Sequence, residues 1–453
     1  MDFIGNIFNL SEYLFWFIVV FSLIVFVHEY GHYYIAKING VKIEKFSIGF
    51  GPAILSKRDK HGTLWQISIF PLGGFVKFAG EMYYSEKTVN KEKNDKSLFF
   101  NKSSLQKASI VLAGPIANFI LGIIIFIIIF SFFGRHFTPS TIGSIDKGSP
   151  ADLRELKKGD NIIAINNEEI DSFDQIYEIL DKKLYKEIQI KISRNKEIIL
   201  FNLSPEHKEI KSFIGSRKKI NYLGINPLIK PIIGKITSNS PAEKSDLKSN
   251  DLILNINNVE VYDVRKIIDI IKKNPNSELD IVINRNNQIL NKKIIPSVFI
   301  AENGEKIGRI GITFSRERTK LNIIDSFIYS IKSFIEVTTK TLIAFAEIIF
   351  GKRDHCEVGG PILIAKVSND VANTDMISFV GLIALISINL GIINLFPLPL
   401  LDGGHFFTYM IEYARGKRVK YKIYQYIQYV GVILIGSLML FSILNDIYCR
   451  VLI

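Results

Sequence analysis

Four stretches of this chain, roughly 13–36, 107–133, 377–400 and 426–448, are long and apolar enough to cross a bilayer, which takes about 20 residues. Lipid offers no hydrogen-bond partners, so each must be a helix that satisfies its own backbone. Between them lie sequences too charged for lipid. Charged residues make up 22% of the 453 and the mean hydropathy is +0.21. That combination predicts a polytopic α-helical membrane protein of four spans with soluble domains between them. A fifth stretch, 321–350, carries Asp325, Lys332, Glu336, Lys340 and Glu347 among Ile324, Phe327, Ile328, Ile331, Phe334 and Ile335. Its 3.6-residue period reads as an amphipathic helix of a surface or interface, not a span.

The basic residues orient the spans. The 37–107 loop holds Lys37, Lys42, Lys45 and Lys57, and the 401–425 loop holds Arg415, Lys417, Arg418, Lys420 and Lys422. No Lys or Arg precedes Lys37, so the first apolar run lacks the basic start of a cleaved signal peptide and reads as a retained helix. Both basic loops are expected in the cytoplasm and the long 134–376 segment outside. The net charge of +12 comes from a Lys-rich composition. No basic stripe is interleaved with aromatics, so no nucleic-acid partner is expected. Cys356 and Cys449 lie far apart and imply neither a disulfide framework nor a Cys-based metal site.

The exported segment contains a repeat. "IGSIDKGSPADLRELKKGDNIIAINNEEI" from Ile142 and "IGKITSNSPAEKSDLKSNDLILNINNVEV" from Ile233 align without a gap. Each reads as a strand, Ser-Pro-Ala opening a short helix, an Asp before a second strand, and an Asn-Asn turn. Two copies make tandem domains rather than a solenoid. The pattern resembles PDZ domains, which bind extended peptides at a sheet edge. The alternatives here are peptide ligands, gating by size, or plain spacers.

The chemistry concentrates at the end of the first span, in "HEYGH". His28 and His32 are four residues apart, which puts both imidazoles on one helical face. Two nitrogens so placed can reach one ion at about 2.0–2.1 Å. Glu29 projects near the same ion, where it can act on water. This is H-E-x-x-H on a helix, and ionisable groups inside a span cost roughly 2.5–3.5 kcal/mol each and are functional by default. A catalytic zinc needs a third protein ligand. Asp402, in "LPLLDGGH", is the candidate, with His405 the other option nearby. Pro397 and Pro399 break the third span just before it, and Gly403 and Gly404 let the backbone turn close to a site. Asp402 arrives on the same side as His28 and His32 if 321–350 does not span.

HEYGH, "NLFPLPLLDGG" and PDZ-like repeats between the second and third spans together resemble the site-2 protease family, in the branch of regulator-of-sigma-E proteases with two PDZ domains. "FSIGFGP", "FPLGGFVKFAGE" and "GPIANF" match as well. The resemblance implies an intramembrane zinc metalloprotease that cuts membrane-spanning segments of single-pass proteins, such as an anti-sigma factor trimmed by an upstream site-1-type protease, or signal-peptide remnants. It implies Zn2+ held by His28, His32 and Asp402, with Glu29 as acid and base, in a bacterial cytoplasmic (inner) membrane. On the residues themselves two other classes stay open: a membrane-tethered PDZ scaffold or chaperone with a dead site, and a metal transporter.

Cutting a helix requires unwinding it and supplying partners to its backbone. "WQISIFPLGGFVKF" alternates like two strands about a Gly-Gly turn and could form a membrane-associated β-hairpin whose edge, at Gly73, Gly74 and Phe75, pairs with substrate. Asn394 could hydrogen-bond substrate or an oxyanion, with Asn389 in a similar role; interhelical bonding is the alternative for both. In GPIANF, Gly114 and Ala117 permit close helix packing and Asn118 steadies the catalytic helix. The expected domains are residues 1–137, with the first two spans and the β-loop region; the repeats at 138–228 and 229–316; an amphipathic interface region at 317–376; and the last two spans at 377–453.

Overall fold

The computed structural model describes residues 2–80, 95–136, 138–211, 217–261, 263–300, 306–315, 318–351, 359–373 and 375–449. The chain forms two units, one of residues Met1–Phe133 with Lys320–Ile453 and the other of Gly134–Thr319.

The first unit is helical. Its elements are α1 (Asp2–Ile38), strands β1 (Ile43–Arg58) and β2 (Leu64–Phe78), α2 (Ser104–Ile128), α3 (Ile323–Ile349), α4 (Pro361–Ala372), α5 (Met376–Asn394), α6 (Asp402–Arg415) and α7 (Tyr421–Ile447). Among the described residues, four helical stretches are long and apolar enough to cross a membrane: Ser11–Ile38, Ser104–Phe133, Met376–Asn394 and Lys422–Ile447. The local signals explain the ends. Ser103 and Gln106 form a reciprocal capping box at the start of α2. Asp375 caps α5 by accepting from the Ile377 and Ser378 amides.

The packing of α1 on α2 sets the centre. A Cβ added at Gly31 would lie 2.3 Å from the Ala113 carbonyl oxygen and 2.8 Å from Ala117 Cβ, so HEYGH meets GPIANF through small residues. Below them Val20, Ile24, Ile125, Phe126, Phe379, Ile383, Ala384, Ile388 and Ile392 form one apolar cluster from α1, α2 and α5.

Helix α3 has charges along its length, yet it runs beside the spans. Phe334 meets Phe119 of α2 at 5.2 Å between ring centroids, and Phe345 meets Phe396 at the same separation. Thr341 Oγ1 donates to Asn389 Oδ1 at 2.8 Å. Glu336 and Lys340 pair with each other on the exposed side, which leaves the apolar stripe for α2 and α5. An amphipathic period specifies one buried stripe and cannot by itself say what covers it.

The β region departs from the hairpin read in the sequence. The two halves of WQISIFPLGGFVKF do not pair with each other. Phe46, Ser47 and Ile48 of β1 pair with Val76, Phe75 and Gly74 on one side and with Trp65, Gln66 and Ile67 on the other, while Ala53 to Arg58 pair back onto Ser68 to Leu64. Two bent strands thus make four segments joined by three ladders, in which, among the described residues, 74–78 is the edge on the side away from 64–68. Side-chain alternation identifies strands but not their partners.

In the second unit the repeats fold alike. Each has a four-stranded sheet, ordered Glu168–Glu169, Asn161–Ile165, Ile188–Arg194, Glu197–Leu203 in the first and Val259–Glu260, Leu252–Ile256, Leu279–Arg285, Gln288–Ile294 in the second. Each adds a two-stranded ribbon, Ile142–Ile145 with Ile225–Pro227 and Ile233–Ile236 with Ile312–Phe314. Ser149 and Ser240 cap the Ser-Pro-Ala turns. The Asn-Asn pairs take positive φ at both residues, Asn166 46° with Asn167 66° and Asn257 50° with Asn258 61°, the conformation of a tight type I′ hairpin turn. The Asp ahead of the strand is an anchor. Asp160 accepts from Arg194 Nε and Nη2, both at 2.7 Å, and Asp251 from Arg285 Nε and Nη2 at 2.7 and 2.8 Å.

Of the two cysteines, Cys449 is disulfide-bonded, and Cys356 lies outside the described residues. This corrects the expectation of no disulfide, which rested on distance along the chain. The Gly360 amide donates to Asp446 at 3.0 Å, so residues 86 positions apart along the chain meet here.

Asp160→Ala leaves the Arg194 guanidinium without its bidentate partner and should destabilise the repeat by about 2–3 kcal/mol. Thermal or denaturant unfolding of the second unit's signal in the full chain checks it, with Asp251→Ala expected to match.

Candidate active site

His28, Glu29 and His32 sit on α1 where α2 and the β2 edge both touch it. The imidazoles lie almost perpendicular, at 85°. His32 Nδ1 is 2.8 Å from the Ile110 carbonyl oxygen. A carbonyl only accepts, so Nδ1 carries the proton and Nε2 offers a lone pair. A Cβ at Gly114 would come within 2.3 Å of His32 Nε2 and 2.8 Å of His28 Cε1. Gly114 therefore makes the space the rings occupy.

Asp402 reaches them from α6. Helix α5 ends at Asn394, and the chain reverses through Pro397 and Pro399, with Leu400 at φ +73°, before α6 starts at Asp402. A Cβ on Gly403 would lie 2.2 Å from the Leu395 carbonyl oxygen, and one on Gly404 would lie 2.2 Å from that of Leu398. The two glycines after Asp402 let α6 fold tightly back on the end of α5, and this brings the carboxylate to the histidines.

Three atoms then converge. His28 Nε2 is 3.2 Å from His32 Nε2, and Asp402 Oδ2 is 3.1 Å from the first and 3.5 Å from the second. Asp402 Oδ2 is buried with no hydrogen-bond partner. Two ring nitrogens and an anionic oxygen at these separations suit a shared cation. Bonds of about 2.0–2.1 Å in a tetrahedron place ligand atoms about 3.3–3.4 Å apart, so the donor set and its spacing fit zinc. Among the described residues this is the one such cluster of His, Cys, Asp or Glu, all three atoms lying within 4.8 Å of one another.

The cluster opens into a cavity of about 430 Å3 lined by His28, Glu29, His32, Asp402, Asn394 and the β2 residues Gly73 to Val76. The Val76 amide donates to the Glu29 carboxylate. A Cβ at Gly74 would sit 3.0 Å from Glu29 Cγ and 2.8 Å from Val25 Cγ1, so this glycine lets the strand edge pass close to α1. Asn394 Nδ2 is 3.5 Å from His28 Nε2.

The sequence profile of Peptidase family M50 matches residues 16–438. The chain belongs to that family. It is similar to the regulator of sigma E protease of Haemophilus influenzae, 31% identical over 448 residues covering 95% of this chain and 97% of the relative. It is also similar to the regulator of sigma-E protease RseP of Escherichia coli, 30% identical over 452 residues with the same coverage. A solved PDZ domain of an SdrC-like protein from Listeria monocytogenes covers 20% of this chain and 90% of its own length at 17% identity and a TM-score of 0.17, too low to bear on the fold.

This M50 peptidase is a zinc-dependent metalloendopeptidase set in a bundle of membrane-spanning helices. Two further polar residues lie outside the three-atom cluster. Asn389 is absent from the cavity wall and instead accepts from Thr341 of α3, which is the interhelical alternative. His405 lines the cavity but stands outside the three-atom cluster, its Nδ1 3.4 Å from Tyr424 Oη. Asn118 is closer to the chemistry than its packing motif implied. It is fully buried, its side-chain nitrogen is placed 3.2 Å from His28 Nδ1, and its Oδ1 has no partner. Amide nitrogen and oxygen are interchangeable in such an assignment. Turned over, Oδ1 accepts from His28 Nδ1–H and leaves Nε2 free to face the ion.

Gly114→Val should all but abolish zinc retention, and Asn118→Ala should weaken it about 10–100-fold. Metal content after competition with a chelator of known affinity measures both.

Proposed function

We propose that this M50 peptidase hydrolyses peptide bonds within membrane-spanning segments of single-pass proteins, with His28, His32 and Asp402 as zinc ligands and Glu29 as general base and acid. The observation that carries the reading is that three ligand atoms, the Glu29 carboxylate and an open strand edge all border one cavity among apolar helices.

Bound there, zinc supplies Lewis-acid polarisation and brings the pKa of water towards neutrality. The rest falls to the chain. Glu29 takes a proton from water as it attacks the scissile carbonyl and returns it to the leaving amine. The Val76 amide holds the Glu29 carboxylate in place between those two transfers. Asn394 Nδ2 lies within reach of the carbonyl oxygen and steadies the charge that develops on it. The free edge at Gly73, Gly74 and Phe75 offers backbone partners to an unwound stretch of substrate, which lipid cannot do. Pairing along an edge needs little from the substrate's side chains, so it selects for a helix that can unwind more than for a particular residue.

In this reading the active site lies towards the cytoplasmic side of a bacterial inner membrane and the two repeats lie outside. The likeness to regulators of sigma-E points to an anti-sigma factor already trimmed by an upstream protease, with signal-peptide remnants as a second class. The repeats would then hold back proteins whose outer portion is intact, by size or by capturing a peptide.

Glu29→Gln should keep bound zinc at wild-type level and lower cleavage of a model membrane-spanning substrate by about 10²–10⁴-fold. A dead-site scaffold predicts no change, and a transporter predicts metal flux without product; either result replaces this reading. Deleting 138–316 should raise cutting of untrimmed over trimmed substrate, scored by product ratio, and an unchanged ratio removes the gating role.

A further inference from the structure

The last span ends in a carboxylate that the site does not use. Asp446 is fully buried near the end of α7, a helix with few other buried residues. Its Oδ1 accepts from the Gly360 amide at 3.0 Å, and its Oδ2 accepts from the amides of Ile362 at 3.0 Å and Leu363 at 3.1 Å. These amides belong to the first turn of α4. That turn has no cap of its own, because its N-cap residue is Gly360 and Pro361 follows. The first amides of a helix have no acceptor within the helix, and an anion there also meets the positive end of the helix dipole. One carboxylate from another helix answers both needs. Gly360 is fitted to it: a Cβ there would lie 2.4 Å from Ser442 Oγ and 2.6 Å from Asp446 Oδ2.

The other end of α4 leads to the active site. Val371 and Ala372 pack in the cluster that holds Val20 and Ile24 of α1 and Phe379 and Ile383 of α5. Ile24 lies one helical turn before His28, on the same face. Helix α5 ends at Asn394, beside His28, and leads through the proline turn to Asp402. So α4 braces the helix with two proposed ligands against the helix that delivers the third. What fixes the start of α4 is Asp446.

We propose that Asp446 is a positioning residue: it caps α4 from the neighbouring span, and through α4 it holds α1 and α5 in the register that the active site needs. A buried carboxylate in an apolar span is costly unless its charge is answered, and three directed amides answer it here. The proposal rests on reading His28, Glu29, His32 and Asp402 as the active site.

The test uses the full-length chain, zinc-loaded in detergent. Asp446→Asn retains the shape but loses the charge and one acceptor. Gly360→Ala retains the carboxylate but pushes the helix start off it. In both variants the α4 amides at 362 and 363 should exchange hydrogen about fivefold faster or more, α2 should keep its protection, and zinc should be lost more readily to a competing chelator. For a model membrane-spanning substrate, kcat should fall severalfold with KM near wild type. Unchanged exchange in α4 overturns the cap, and faster exchange with unchanged kcat overturns the positioning role. Should Asp446→Asn fail to fold, Gly360→Ala alone decides. A failure of the active-site reading would show instead as no zinc-dependent cleavage by the unaltered chain, whatever the exchange result.

Discussion

The structure depends on how closely α1 approaches α2. Gly31 lies against the Ala113 carbonyl and Ala117, and Gly114 lies beneath the two imidazoles. Any larger side chain at these points would separate the helices and displace the rings. Ordinary apolar packing of two spans would fill that space with Leu or Ile and leave no room for a polar group. Here the space goes to two histidines whose outer nitrogens are held by the Ile110 carbonyl and by Asn118. The histidines are tolerated in an apolar bundle because each ring is anchored on one side and presents a lone pair on the other. The desolvation that makes such groups costly also strengthens their attraction for a cation.

The second constraint is the reversal between α5 and α6. A span that ran on past Asn394 would carry Asp402 about 12 Å further along the helix axis, at 1.5 Å per residue. Two prolines end it, and two glycines let the next helix start fold back against the carbonyls of Leu395 and Leu398. Leu400 takes a left-handed φ of +73°, a conformation that costs a non-glycine residue of order 1–3 kcal/mol and persists where surroundings overdetermine it. Pro399 is fixed in turn by α7, where a Cβ at Gly431 would lie 2.6 Å from Pro399 Cβ. The strain therefore sits two residues before Asp402 and is held from three sides.

Local signals were legible in the sequence. The four-residue spacing of His28 and His32, the apolar runs, the Asn-Asn turns and the paired repeats are all short-range patterns, and each appears in the structure as its period implies. Asp402 was legible only by counting crossings. What could not be read is pairing between distant segments. Alternation in 65–78 marks strands, yet nothing local says that Phe46 to Ile48 would lie between its two halves. Asn389 and Asn394 look alike five residues apart in one span, and only the position of Thr341 separates them. Asp446 reads as one polar residue near a chain end, and its three amide donors lie more than 80 residues away.

These long-range contacts share a logic. In water an unpaired amide or carboxylate finds solvent, so its neighbours are free to vary. In a lipid-facing bundle each such group has to find a partner in the protein, and the partner then fixes the position of a whole helix or strand. The Val76 amide on Glu29 fixes the β2 edge to α1, Thr341 on Asn389 fixes α3 to α5, and the amides on Asp446 fix α4 to α7. Apolar packing alone would let these elements slide or rotate with little penalty, because lipid is as apolar as leucine. A site that needs three ligand atoms within a few tenths of an ångström cannot tolerate that freedom. The few polar contacts scattered through the spans are what turn a loose apolar bundle into one with a single register.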